Sequence, residues 1–156
     1  MTDSIIHETD SGYLLLDFCN ALKAELEKPV NLNKLGISRV EIGKVDLTSI
    51  PALGIYIPGW EDRDEDNSND SNVELTGLVS FYHCEFDDSA NISEVYLKSG
   101  ILRKILHNNK LNNFAYTVST KGTITVDIND KNDKKNKIYL MTLIEFSVKR
   151  VIAEGV

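Results

Sequence analysis

The stretch NVELTGLVSFYHCEF, residues 72–86, limits the fold more than any other part of the chain. Side chains along a strand point alternately to its two faces. Val73, Leu75, Val79 and Phe81 therefore share one face, and Leu78, Tyr82, Cys84 and Phe86 share the other. Apolar residues on both sides predict a central strand covered on at least part of each face. Such a strand needs a sheet around it and further elements laid on that sheet. The 156 residues fit a single domain, 1–156, long enough to bury a real core.

Helical spacing appears twice. Leu15, Phe18/Cys19, Leu22 and Leu26 form one apolar stripe, which predicts a helix from about Gly12 to Lys28. Asp10 or Ser11 is placed to cap it and Pro29 to stop it, and residues 1–10 read as a flexible tail. A second helix is expected from about Ile92 to Asn109, with Ser93 as cap and Glu94 in the first turn. Arg103, Lys104 and His107 lie near its carbonyl end, where positive charge suits the helix dipole. Strand signals fill 36–47 and 51–59. The last third reads as a meander. NFAYTVS and TITVDIN flank Thr120-Lys121-Gly122 as a hairpin turn, DKNDKKNK is a polar loop, and Ile138–Ile152 is a long final strand. Its Ile138, Leu140, Ile144, Phe146 and Val148 share a face. The expected order is α-β-β-β-α-β-β-β, an α+β domain with two helices packed on a mixed or antiparallel sheet.

Charge is concentrated in one place. Between Pro58 and Leu75 stand Glu61, Asp62, Asp64, Glu65, Asp66, Asp70 and Glu74 against a single Arg63, a net of −6 in a chain of −7. Rich in Asn, Asp and Ser and without periodicity, residues 59–72 read as a long acidic loop. As a calcium loop starting at Asp62 it has Asp64 and Asp66 in place, but Asn67 stands where glycine is needed and Val73 where the closing glutamate is needed. A dedicated metal site is therefore not expected, although weak divalent-ion binding stays open. The plain reading is a solvated loop that blunts neighbouring strands with charge. Elsewhere charges nearly cancel, so no broad basic face for gripping nucleic acid is expected.

Reactive chemistry is sparse. Cys19 and Cys84 are far apart and in no CxxC pair. His83 and Cys84 are neighbours in the central strand, so strict alternation sends them to opposite faces and denies them a dyad. His7 and His107 fall in the tail and the last helical turn, and no nucleophile elbow, phosphate loop, dinucleotide fingerprint or HExxH occurs. Neither an enzyme nor a cofactor is expected. Trp60, the single tryptophan, follows a Pro-Gly turn; it either anchors the acidic loop to the core or stands exposed as an interface hot spot. Lys121, Lys131, Lys134, Lys135 and Lys137 are ordinary loop lysines that oppose the acidic loop in sign, a way to steer contacts between copies. No cationic region followed by an apolar run opens the chain, and no apolar stretch approaches membrane-spanning length, so an intracellular protein is expected.

The order of elements, with VDLTSIPALGIYIPG, a polar loop and then VELTGLVSFYHCEF, resembles the tail terminator proteins of long-tailed bacteriophages. The segments that carry the resemblance are Ile50–Tyr56, the helix from Ile92, and Leu143–Val148, and it spans about Tyr13 to Ile152. The resemblance implies a structural, non-enzymatic protein of the virion tail or neck, assembled in the host cytoplasm. It implies a ring, typically of six copies, that caps the tail tube and offers a surface to the head-completion or connector protein. Its partners would be itself, the tail tube protein, that connector, and DNA that passes without specific binding; no membrane is involved. Trp60 to Asp66 and Asp70 would then line the lumen or dock on a basic partner, with Lys121, Lys131, Lys134 and Lys135 as contacts between subunits or to the tube. Two alternatives fit the same residues: an acidic immunity protein or nuclease inhibitor, and another neck or head–tail adaptor protein.

Overall fold

The computed structural model describes residues 5–6, 13–64, 70–129 and 137–153. Its elements in chain order are β1 (Ile5–Ile6), α1 (Leu14–Leu26), α2 (Pro29–Leu35), β2 (Val40–Ile42), a 3-10 turn (Leu47–Ser49), β3 (Ala52–Asp64), β4 (Asp70–Glu85), α3 (Ile92–Leu106), β5 (Tyr116–Asn129) and β6 (Lys137–Ala153). The six strands form one sheet in the order β1-β6-β4-β3-β2, with β5 also paired to β6. Because β4 accompanies β6 from Tyr139 to Ala153, β5 and β1 share the other edge of β6. Pairs β1–β6 and β2–β3 are parallel and the rest antiparallel, so the sheet is mixed. The α+β class with helices on a mixed sheet is as expected.

The core lies on one face of that sheet. Phe18, Leu22 and Leu26 of α1 and Leu102 and Leu106 of α3 meet Leu53, Ile55, Leu75, Val79, Phe81, Ile144, Phe146 and Val148. Val73, Leu75, Val79 and Phe81 are all buried, as the alternation of the central strand requires. Among the described residues no helix covers the opposite face. The connection 43–51 crosses it at Gly54, where Val45 packs so closely that a β-carbon on Gly54 would lie 2.6 Å from the Val45 side chain. Further along that face Tyr56 is 60% exposed.

Several sequence expectations are corrected. α1 does end ahead of Pro29, at Leu26, but Pro29 also opens a second helix, α2, where its missing N–H costs nothing. Gly36, at φ 69°, closes α2 in the left-handed region. The cap of α3 is Asn91, whose side chain accepts from the Glu94 backbone N–H at 3.1 Å, and not Ser93. Asp10 and Ser11 lie outside the described residues, and Tyr13 at the start of α1 makes no side-chain cap. Ile5 and Ile6 do not read as tail here, since they pair with Val151 and Ile152.

Two corrections reshape the sheet. Thr120-Lys121-Gly122 is no hairpin, because β5 runs straight through it, with Thr120, Lys121 and Gly122 opposite Phe146, Glu145 and Ile144. A two-residue hairpin turn wants positive φ at its centre, which β-branched Thr120 resists, and β6 is long enough to pair with the whole strand. The acidic loop of 59–72 is likewise strand at Gly59–Asp64 and Asp70–Asn72, leaving 65–69 outside the described residues. There β4 and β6 continue side by side and give β3 a partner despite its poor strand propensity.

Candidate functional site

Pro58 sets how the acidic residues are presented. Proline cannot donate to a strand ladder and is tolerated at bulges. The β3–β4 register slips between Tyr56 and Gly59, around this residue. Beyond the slip Trp60 pairs with Leu75, Glu61 with Glu74, Asp62 with Val73, Arg63 with Asn72 and Asp64 with Ser71. Alternation thus sends Glu61 to one face and Asp62 to the other, so the ribbon carries carboxylates on both sides. Trp60 is 56% exposed and does not anchor the ribbon in the core. Glu61 and Asp62 beside it are exposed.

Glu61 directly opposes Glu74, a like-charged cross-strand pair that disfavours the sheet. Lys149 stands on the far side of Glu74 in the same row and offsets this. On the other face the row Asp62, Val73, Arg150 ends in a buried guanidinium, 4.1 Å above the Phe114 ring. Arg63, Asp64 and Asp70 are placed by backbone pairing alone. Glu65, Asp66, Lys131, Lys134 and Lys135 lie outside the described residues. Lys121 is exposed in the middle of β5, away from any turn. The geometry therefore sets Trp60 and Asp62 on one face of the ribbon and Glu61 on the other, and leaves Lys121 on the opposite edge strand.

A second place was not foreseen. The β4–β6 register slips again between Tyr82 and Cys84, which pair with Met141 and Leu140, so His83 is the extra residue of a β-bulge. The bulge turns Cys84 over, and His83 and Cys84 line the same cavity rather than opposite faces. That cavity of about 420 Å³ lies between the end of β4, the start of α3 and the end of α2, with Lys98, Glu94 and Asp87 also at its wall. Lys98 spans it, donating to the Lys34 carbonyl at 2.8 Å and reaching Glu94 at 3.6 Å.

Hydrogen bonds fix the proton on His83. The Ser99 hydroxyl donates to the Val95 carbonyl at 2.7 Å, so it must accept from Thr142, 2.6 Å away. Thr142 has then used its proton and accepts from His83 Nε2, also at 2.6 Å. His83 is the Nε2–H tautomer, stacked on Phe81 with centroids 4.2 Å apart. Burial holds its pKa down at about 4, so the ring is neutral at pH 7. Burial, and then the Asp87 carboxylate, push the Cys84 thiol up from its ordinary value. A neutral imidazole beside a protonated thiol is not an activated nucleophile. Among the described residues no group of three His, Cys, Asp or Glu could hold a metal ion.

No protein-family model matches the chain, and no curated protein matches it.

Proposed function

We propose that the protein is a structural component of a long-tailed phage tail: a ring, typically of six copies as the resemblance to tail terminators implies, that terminates the tail tube and presents a surface for head joining. The observation that supports this reading is the display of Trp60, Glu61 and Asp62, all exposed, on a paired strand. A ring subunit needs its contact groups fixed at a set height and angle, and a β-ribbon provides that better than a loop. The sheet face that carries no helix among the described residues, with Tyr56 exposed on it, is a second surface of the kind that subunits use against one another.

In this reading one face of the ring matches the tube end and the other does not repeat it, so growth stops. Carboxylates repeated around the mouth repel phosphate and let DNA pass without sticking, or dock on a basic patch of the connector. The test is to replace Glu61, Asp62, Asp64, Glu65 and Asp66 together by their amides in the assembling phage. Head–tail joining or DNA ejection is expected to fail. Unchanged particle yield and infectivity would contradict the reading.

Trp60 favours one alternative. An exposed indole flanked by carboxylates also suits an inhibitor that mimics phosphate at the basic site of a nuclease. That protein would be a monomer with tight, salt-sensitive binding to one cationic partner.

A further inference from the structure

Among the described residues β5 pairs only with β6, which leaves its outer edge of N–H and C=O groups without a ladder. Such an edge is a template for another strand. Its charge pattern selects which strand. From Tyr116 to Asn129 the charged residues are Lys121 and Asp127, one of each sign. They are six positions apart and so stand on the same face. If a second copy of β5 lies antiparallel across a two-fold axis at Ile124, each Lys121 falls opposite the other copy's Asp127. Thr123 then meets Thr125, and Ile124 meets itself.

The other face of the strand agrees with this register. Ile124 and Val126 are 40% and 44% exposed there, large apolar surfaces for an isolated edge. In the same pairing Val126 falls opposite Gly122 of the second copy, which has no side chain to obstruct it. Beside Gly122 a cavity of about 280 Å³ opens between α3 and β5, walled by Gly100, Thr123 and Ile124. A parallel, in-register arrangement would instead set Lys121 against Lys121 and Asp127 against Asp127. The pattern therefore favours one closed pair over open stacking.

We propose that β5 joins two copies of this chain edge to edge, in the antiparallel register that places Lys121 opposite Asp127, and so extends one sheet through both. A two-fold contact closes on itself. It is thus separate from any ring interface, and it stands or falls independently of the ring.

The test uses the full chain carrying Ile124→Cys, oxidised and run on a non-reducing gel, with the wild-type chain giving the background from Cys19 and Cys84. A covalent dimer above that background is expected. Adding Lys121→Asp replaces two attractive cross-strand pairs with two repulsive ones and should slow cross-linking about tenfold or more. Adding Asp127→Lys as well should restore it, all of these chains also carrying Tyr82→Phe so that the loss of the Tyr82–Asp127 hydrogen bond is common to them. No cross-linking above background, or a rate that ignores both charge changes, would overturn the pairing. Because the readout is a covalent bond across one axis, it does not depend on whether rings form.

Discussion

At the scale of single residues, His83 carries the plainest consequence of the fold. Its folded pKa of about 4 lies below the ordinary 6.5 because burial disfavours the charged ring. Between those values the unfolded chain binds the proton and the folded chain does not, so stability rises with pH across that window. The contribution is intact above pH 6.5 and is lost as pH falls toward 4. His83→Gln keeps a donor for Thr142 but cannot titrate. Its melting temperature should therefore fall less between pH 7 and pH 5 than that of the wild type; parallel slopes would contradict the assignment. Tyr82 offers a second check. Its hydroxyl donates to Asp127 at 2.8 Å, and burial with that carboxylate pushes its pKa up to about 12. Tyr82→Phe should lower stability by about 1 kcal/mol in urea unfolding. None of this was legible in the sequence. Reading residues 72–86 as an unbroken alternation places Val73 to Phe81 correctly but fails after Tyr82, because one extra residue inverts every side chain beyond it. Nothing in the spelling YHC marks a bulge.

Elements show the same division between what local sequence determines and what neighbours impose. α1 was legible because Phe18, Leu22 and Leu26 repeat at helical spacing and all are buried. α2 was not, because seven residues opening on a proline look like a helix ending. The acidic strand and the unbroken β5 were hidden for a tertiary reason: residues of weak strand propensity become strand when a long neighbour supplies the ladder. This fixes where substitutions should be felt. Gly54→Ala would drive a β-carbon against Val45 and the Gly43 carbonyl, and should cost about 1–3 kcal/mol of unfolding free energy. Asn91→Ala removes the cap of α3 and should cost about 1 kcal/mol, whereas Ser93→Ala should be nearly silent. An equal loss at both positions would show the cap to be misassigned.

For the whole molecule, the proposal is that a helix-backed sheet serves as a ring subunit rather than as a catalyst. The candidate site was half legible: the charge of residues 58–75 is plain in the sequence, while its display on β3 and the exposure of Trp60 come from pairing with β4, which β6 supports. Trp60→Ala should leave the melting temperature within a few degrees of wild type, because the indole is largely outside the core, yet weaken assembly. The measurement that tests the central claim most directly is mass in solution, by light scattering on a sizing column, over a range of concentration and with or without magnesium. The account predicts a closed ring of six times the 17.5 kDa chain or of another fixed copy number above two, or twice that mass where rings stand paired through β5. A protein that remains at 17.5 kDa, or stops at twice that mass, at every concentration would contradict it.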